Sequence, residues 1–213
     1  MKLLYKLAIA LSAIFLFVPA LALAQYHGHQ SQGGRGNNHG GNNPPPVVTP
    51  PPPAAGETRL IAYTTGYGWP DNTPPGGAIS NPILHTTDGG VGSYADPITL
   101  AVGHSISGGK DTLDYPAGTK FYIPDLRKYF IVEDTCGDGN TPQNGPCHTG
   151  YQGHPWIDLW VGGTSAQKSA TLACEDSITD LHLVIENPSP NYSVVSGPVF
   201  NGACSQQFGD TVI

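Results

Sequence analysis

Positive charge is scarce in this chain. Nine Lys and Arg stand against sixteen Asp and Glu, for a formal net charge of −7, and the few cations form no basic run. That leaves no electrostatic footprint for nucleic acid or for an anionic membrane surface. Apolar runs are equally scarce: only Leu7 to Leu23 is long enough to suggest a membrane segment, and nothing after it could span a bilayer. Helical periodicity is confined to one stretch and no internal repeat is evident, which leaves short strands as the main building material. Cysteine is missing until Cys136, so any covalent stapling belongs to the C-terminal half.

The one long apolar run follows Met1-Lys2-Leu3-Leu4-Tyr5-Lys6 and ends in Ala22-Leu23-Ala24, the small-residue pattern of a secretory signal cleaved before Gln25. Pro19 within it argues against a permanent anchor. Cleavage would remove Lys2 and Lys6 and take the formal charge from −7 to −9. Export implies an extracellular or periplasmic location and an oxidising compartment, where an even cysteine count reads as disulfides. Cys136, Cys147, Cys174 and Cys204 allow three pairings. Proximity favours Cys136 with Cys147 and Cys174 with Cys204, the first closure stabilising by roughly 3 kcal/mol in the loop-entropy model.

Residues 25–56 are Gly, Asn, His and Gln followed by Pro44-Pro45-Pro46 and Pro50 to Pro53, a tether that cannot bury apolar area. The folded domain is expected over 57–213. Its apolar runs are short and β-rich: Leu60–Thr65, Ile98–Val102, Lys120–Ile123, Tyr129–Val132, Trp156–Val161 and Leu181–Ile185, punctuated by Gly, Pro and Asp. Thr164 to Cys174 reads as a helix capped by Thr164 or Ser165. Six strands and one helix suggest a small closed barrel, because closure removes exposed edges.

Two aspartates stand in or at the end of apolar strands. Asp134 closes Phe130-Ile131-Val132-Glu133-Asp134, and Asp158 lies inside Trp156-Ile157-Asp158-Leu159-Trp160. Burial withdraws hydration from a carboxylate and raises its pKa unless donors compensate, which is what proton donation to a glycosidic oxygen requires. Strand alternation puts Asp158 on one face with Trp156 and Trp160, an arrangement like a sugar platform. Tyr63-Thr64-Thr65-Gly66-Tyr67-Gly68-Trp69-Pro70-Asp71 adds Tyr67 and Trp69 for ring stacking and Asp71 as a candidate second carboxylate. His104, at the end of Leu100-Ala101-Val102-Gly103-His104, is a candidate to orient substrate. A mature start of Gln25-Tyr26-His27 would suit square-planar Cu(II) or Ni(II), and Cys136, Cys147, His148 and His154 would suit zinc only at the expense of a disulfide. Both ideas are minor, and neither a cofactor nor a metal is expected.

Together Leu100-Ala101-Val102-Gly103-His104, Tyr115-Pro116-Ala117-Gly118-Thr119-Lys120-Phe121-Tyr122-Ile123, Val132-Glu133-Asp134-Thr135 and Trp156-Ile157-Asp158-Leu159-Trp160 resemble the double-psi β-barrel superfamily. That group includes expansins, rare lipoprotein A-type lytic transglycosylases, three-aspartate lytic transglycosylase domains and small single-barrel endoglucanases. The resemblance covers about residues 61–161. It implies a mainly β fold, a six-stranded double-psi β-barrel with one short helix, here stapled by disulfides. It also places His104, Asp134 and Asp158 at positions of catalysis or substrate contact, with Asp158 at the endoglucanase general acid. Gly103-His104 stands where the three-aspartate pattern has its first aspartate.

The expectation is a monomeric, secreted protein acting on a cell-wall glycan, peptidoglycan or cellulose-like, by glycosidic bond cleavage. Catalysis is assigned to Asp134, Asp158, His104 and Asp71, and substrate binding to Tyr67, Trp69, Trp156 and Trp160. The alternatives are an expansin-like binder that loosens glycan networks without cleaving them, and a secreted protein-binding or inhibitory barrel.

Overall fold

A computed structural model of the protein describes Pro53 and residues 55–213. The expected signal segment and all but the end of the expected tether, including Gln25-Tyr26-His27, lie outside the described residues. Eight strands are present among the described residues: β1 (Thr58–Gly68), β2 (Ile98–Val102), β3 (His104–Ser107), β4 (Lys110–Leu113), β5 (Lys120–Ile123), β6 (Lys128–Thr135), β7 (Trp156–Gly162) and β8 (Asp180–Glu186). Six of them close a barrel in the order β1-β7-β2-β6-β5-β8, and β3 and β4 form a separate two-stranded sheet. The six barrel strands are the six expected from the apolar runs.

The barrel is mixed. β1 with β7 and β2 with β6 pair in parallel, and the other four seams are antiparallel. Residues 69–97 lead from β1 to β2 and residues 103–119 from β2 to β5, long connections between strands that are not neighbours in the barrel. The hairpin β3–β4, which none of the apolar runs announced, belongs to the second.

Residues 98–102 are buried throughout because this central strand has packed material on both faces. Leu100, Val102, Phe121, Phe130, Val132, Ile157, Leu159 and Val184 form the main core, and full burial of each such side chain contributes about 1.5–3 kcal/mol. A smaller cluster of Tyr122, Tyr129, Ile185, Tyr192 and Val212 sits under the C-terminal segment. That segment docks through backbone hydrogen bonds, Val195 N–H to the Arg127 carbonyl at 3.0 Å and Phe200 N–H to the Val161 carbonyl at 2.9 Å.

The principal helix, α2 (Lys168–Ser177), follows the four-residue turn α1 (Pro146–Thr149). It begins later than expected. Ser165–Gln167 is a tighter 3₁₀ turn, and the Thr164 hydroxyl binds the Gln167 side chain at 3.0 Å instead of capping a backbone N–H. Disulfides join Cys136 to Cys147 and Cys174 to Cys204, the pairing favoured by proximity, and no described cysteine is free for zinc.

Candidate functional site

Register brings the two strand aspartates together. On β2, Ala101 faces Asp134 of β6 on one side and Asp158 of β7 on the other. Adjacent strands lie about 4.8 Å apart, so the two aspartate Cα atoms are about 10 Å apart. The strand between them contributes Ala101, with a single methyl group, at that level. The next partner in the row is Thr65 of β1, opposite Asp158.

A bulge makes this possible. Leu100 pairs with Val132 but Ala101 with Asp134, so Glu133 is the additional residue of β6. An extra residue re-aims the side chains around it, which lets neighbouring Glu133 and Asp134 both be buried in different surroundings. Glu133 accepts hydrogen bonds at Oε1 from the backbone N–H of Ile83 at 3.1 Å, of Leu84, and of His85 at 2.9 Å, while Oε2 meets His85 Nδ1 at 2.6 Å. Burial opposes its charge, yet the His85 backbone and ring together with the Leu84 and Ile83 N–H groups hold its carboxyl below the usual range. His85 Nε2 reaches Asp96 at 2.9 Å. Burial lowers the imidazole's pKa, but Asp96 and Glu133 outweigh that and raise it.

Glu133 thereby pins the β1–β2 connection against the barrel, and the connection carries Ser80 to Asp134. Asp134 Oδ1 accepts from Ser80 N–H at 3.0 Å, Ser80 Oγ at 2.8 Å and Thr135 N–H at 2.9 Å. Tyr67 lies between two carboxylates, its hydroxyl 2.6 Å from Asp88 Oδ1 and 3.4 Å from Asp134 Oδ2. One phenolic proton serves one acceptor at a time, and the shorter contact takes it. Burial, then the nearby Asp88 and Asp134 charges, push the Tyr67 phenol well above its ordinary pKa. Asp88 is itself pushed up to about 7 by burial, with Tyr67's hydrogen bond opposing and the Asp134 and Glu133 charges adding to the rise.

The opposite wall is poor in donors. Asp158 Oδ1 accepts from the Thr65 hydroxyl at 2.6 Å, and that hydroxyl accepts from the Trp156 indole N–H at 2.8 Å. Burial raises the Asp158 carboxyl to about 7; Thr65 opposes this, and Asp71 and Asp134 reinforce it. Asp71 caps the end of β1, accepting from Gly68 N–H at 2.8 Å. Behind it Glu175 of α2 is 6 % exposed, and its Oε1 has no hydrogen-bond partner. Burial first, and Asp71 next, push Glu175 up to about 8. Room for this carboxyl exists because β1 carries glycine: a Cβ on Gly68 would stand 2.9 Å from Glu175 Oε1, and one on Gly66 3.0 Å from Glu175 Cγ.

Asp71, Asp134 and Asp158 line one open groove of about 400 Å³, with Tyr67, Ser80 and Ala101 between them. His104 does not line it. Both of its ring nitrogens are engaged, Nδ1 with Asp111 at 2.8 Å and Nε2 with the Gly137 carbonyl at 2.9 Å, so it ties the β3–β4 hairpin to the Cys136 loop. Burial works against its protonation, but the Gly137 carbonyl and Asp111 raise its pKa overall.

The expected stacking platform is not assembled either. Tyr67 and Trp160 pack edge to face at 5.3 Å and each is 8 % exposed, so neither offers a ring face to a sugar. Trp69 is exposed outside the groove, and Trp156 lines a separate cavity. Glu133, Thr65, Ser80, Asp88 and Glu175 escaped the sequence reading. A carboxylate beside Asp134 in an apolar run was a visible signal for Glu133; Ser80 and Asp88 carry none, since only the folded loop brings them in. Among the described residues no cluster of three or more His, Cys, Asp or Glu is arranged to hold a metal ion.

Fold and site define a disulfide-stapled, closed mixed β-barrel whose groove is walled by carboxyl groups of contrasting hydrogen-bond supply. The chain belongs to the family described as the DDB_G0273701 N-terminal domain, which matches residues 60–207 and so encloses every groove residue named above. It is 34 % identical, over 150 residues, to an uncharacterized protein of Dictyostelium discoideum. The match covers 68 % of this chain and 59 % of that protein, so the chain spans less than two thirds of the relative's length. No solved structure matches.

Proposed function

We propose that the protein is a secreted double-psi β-barrel that cleaves glycosidic bonds in a cell-wall polysaccharide, in the manner of a lytic transglycosylase or an endoglucanase. The observation that carries this reading is Asp158, a carboxyl raised to about 7 that shares one groove with Asp134 across a single alanine. A carboxylic acid with that pKa keeps its proton near neutrality and can deliver it to the glycosidic oxygen. Asp134, fixed by Ser80 and Thr135, faces the positive charge that develops at the anomeric carbon. The space between them admits either a water or the sugar's own hydroxyl as nucleophile, the choice that separates hydrolysis from internal transglycosylation. Asp71 flanks the acid, and its charge helps to keep Asp158 protonated. Two disulfides, and the lack among the described residues of any helix long and apolar enough to cross a membrane, are compatible with export.

Incubation with purified peptidoglycan and with amorphous cellulose, followed by mass analysis of soluble products, tests this. Anhydro ends identify a lytic transglycosylase and reducing ends a hydrolase. Asp158→Asn should lower turnover about 10²- to 10⁴-fold while preserving the Thr65 hydrogen bond; unchanged turnover overturns the assignment. Retention of glycan with no product from the unsubstituted protein would favour the expansin-like alternative.

A further inference from the structure

On the face of β1 and β7 that carries Thr65 and Asp158, the preceding row pairs Tyr63 with Trp156. The two rows are two residues apart, about 7 Å. Here the aromatic surface missing from the groove is found. Tyr151 stacks on Tyr63 at a centroid distance of 4.2 Å, Trp156 stands edge-on to Tyr63 at 4.7 Å, and Tyr151 remains 39 % exposed.

Tyr151 is held there by a dedicated turn. Its N–H and carbonyl exchange 2.9 Å hydrogen bonds with His154, and the two residues between them, Gln152 and Gly153, both have positive φ, the pattern of the tightest hairpin turns. A non-glycine residue at positive φ is uncommon, so the backbone accepts an unfavourable conformation where it presents this ring.

Next to it lies a second open cavity of about 310 Å³, lined by Asp114, Tyr115, Cys147, His148, Pro155 and Trp156. Its size is at the lower end of small-molecule sites. His148 Nδ1 meets Asp114 Oδ1 at 2.6 Å, which orients the ring, and its Nε2 makes no hydrogen bond among the described residues. Aromatic edges and faces beside an oriented imidazole and a carboxylate match the amphipathic surface of a pyranose ring, apolar on its C–H faces and rimmed by hydroxyls. A phosphate or other anion fits poorly, since Asp114 lines the cavity and no Lys or Arg does.

We infer that Tyr63, Tyr151 and Trp156, with the His148–Asp114 pair, form a sugar-binding subsite one strand row away from Asp158, for a pyranose unit of the same chain that is cut in the groove. This inference rests on the glycan reading of the groove. Trp156 joins the two places physically, because its indole N–H supports the Thr65 hydroxyl that in turn donates to Asp158. The subsite therefore recognises substrate length, and its occupation bears on the hydrogen bond that orients the acid.

The test uses the whole protein carrying Asp158→Asn, so that ligands bind without being consumed, titrated with β-1,4-linked oligomers of glucose and of N-acetylglucosamine, two to six sugars long. Tyr151→Ala and His148→Ala, and the milder Tyr151→Leu and His148→Gln should the alanines unfold, are added one at a time to that background, with circular dichroism as the check on folding. Affinity for the longest oligomer that binds should fall about five- to tenfold with each, affinity for the shortest should be unchanged, and the gain per added sugar should disappear. Folded variants that bind every oligomer like their parent overturn the subsite and leave the groove assignment standing. A parent that binds neither series overturns both. Whichever oligomer binds identifies the glycan.

Discussion

The two walls of the groove use the same functional group and leave it in opposite conditions. On the β6 wall, Glu133 and Asp134 are surrounded by N–H and O–H donors from a loop folded over them. On the wall formed by β1, β7 and α2, Asp158 has one hydroxyl donor and Glu175 leaves an oxygen with none. Burial alone favours the neutral acid at Glu133, Asp158 and Glu175; the supply of donors decides where it is overcome. Glu133 is fully buried and its pKa falls, whereas Asp158 and Glu175 rise to about 7 and about 8. A carboxyl buried beside few donors is the more informative kind, because it stores a proton that the rest of the fold does not need.

Breaking the donor-rich wall should have the largest effect on folding. Glu133→Ala strands the N–H groups of Ile83, Leu84 and His85 and releases the loop that carries Ser80. A loss of about 3 kcal/mol or more is expected from donors left unmade, readable as a lower urea midpoint with increased protease cutting between residues 77 and 97. A midpoint equal to that of the unsubstituted protein would dissolve the contrast between the walls.

Glu175→Gln probes the donor-poor wall with a pH-dependent sign. A carboxyl at about 8 in the fold and near its ordinary value of 4.5 when unfolded binds more protons in the native state between those values. Its contribution is therefore most favourable at low pH and is lost as pH rises through that window. The variant should melt with the unsubstituted protein at pH 4 and a few degrees above it at pH 9; parallel melting curves across the range would refute a buried neutral acid. Tyr67→Phe sharpens the comparison at the junction of the walls. Removal of the donor that restrains Asp88 should move its titration, followed by carboxyl NMR, upward from about 7 and cost about 1 kcal/mol, with no movement if the phenol donates elsewhere.

The strands were legible because each is a short β-rich run between turn residues, and the facing of Asp134 and Asp158 followed once the barrel closed. Alternation also put Trp156, Asp158 and Trp160 on one face correctly. It could not show that Tyr67 would cover Trp160, because that depends on the β1–β7 register. His104 stood at a strand end next to a resemblance, but its partners Asp111 and Gly137 come from a hairpin and a loop that carry no periodic signal. The bulge at Glu133 breaks the rule that neighbours point to opposite sides, so a strict period of two hides one of the two buried acids. Ser80, Asp88 and Glu175 meet the groove only through long-range docking, which a local pattern does not encode.

The strand that separates the two acids carries only a methyl group at their level. Every atom added to the side chain of Ala101 would grow into the groove between Asp134 and Asp158, while the carboxyls on either side keep their own strands and donors. Position 101 is thus a one-residue dial at the floor of this groove, able to change the room between the acids without replacing either of them.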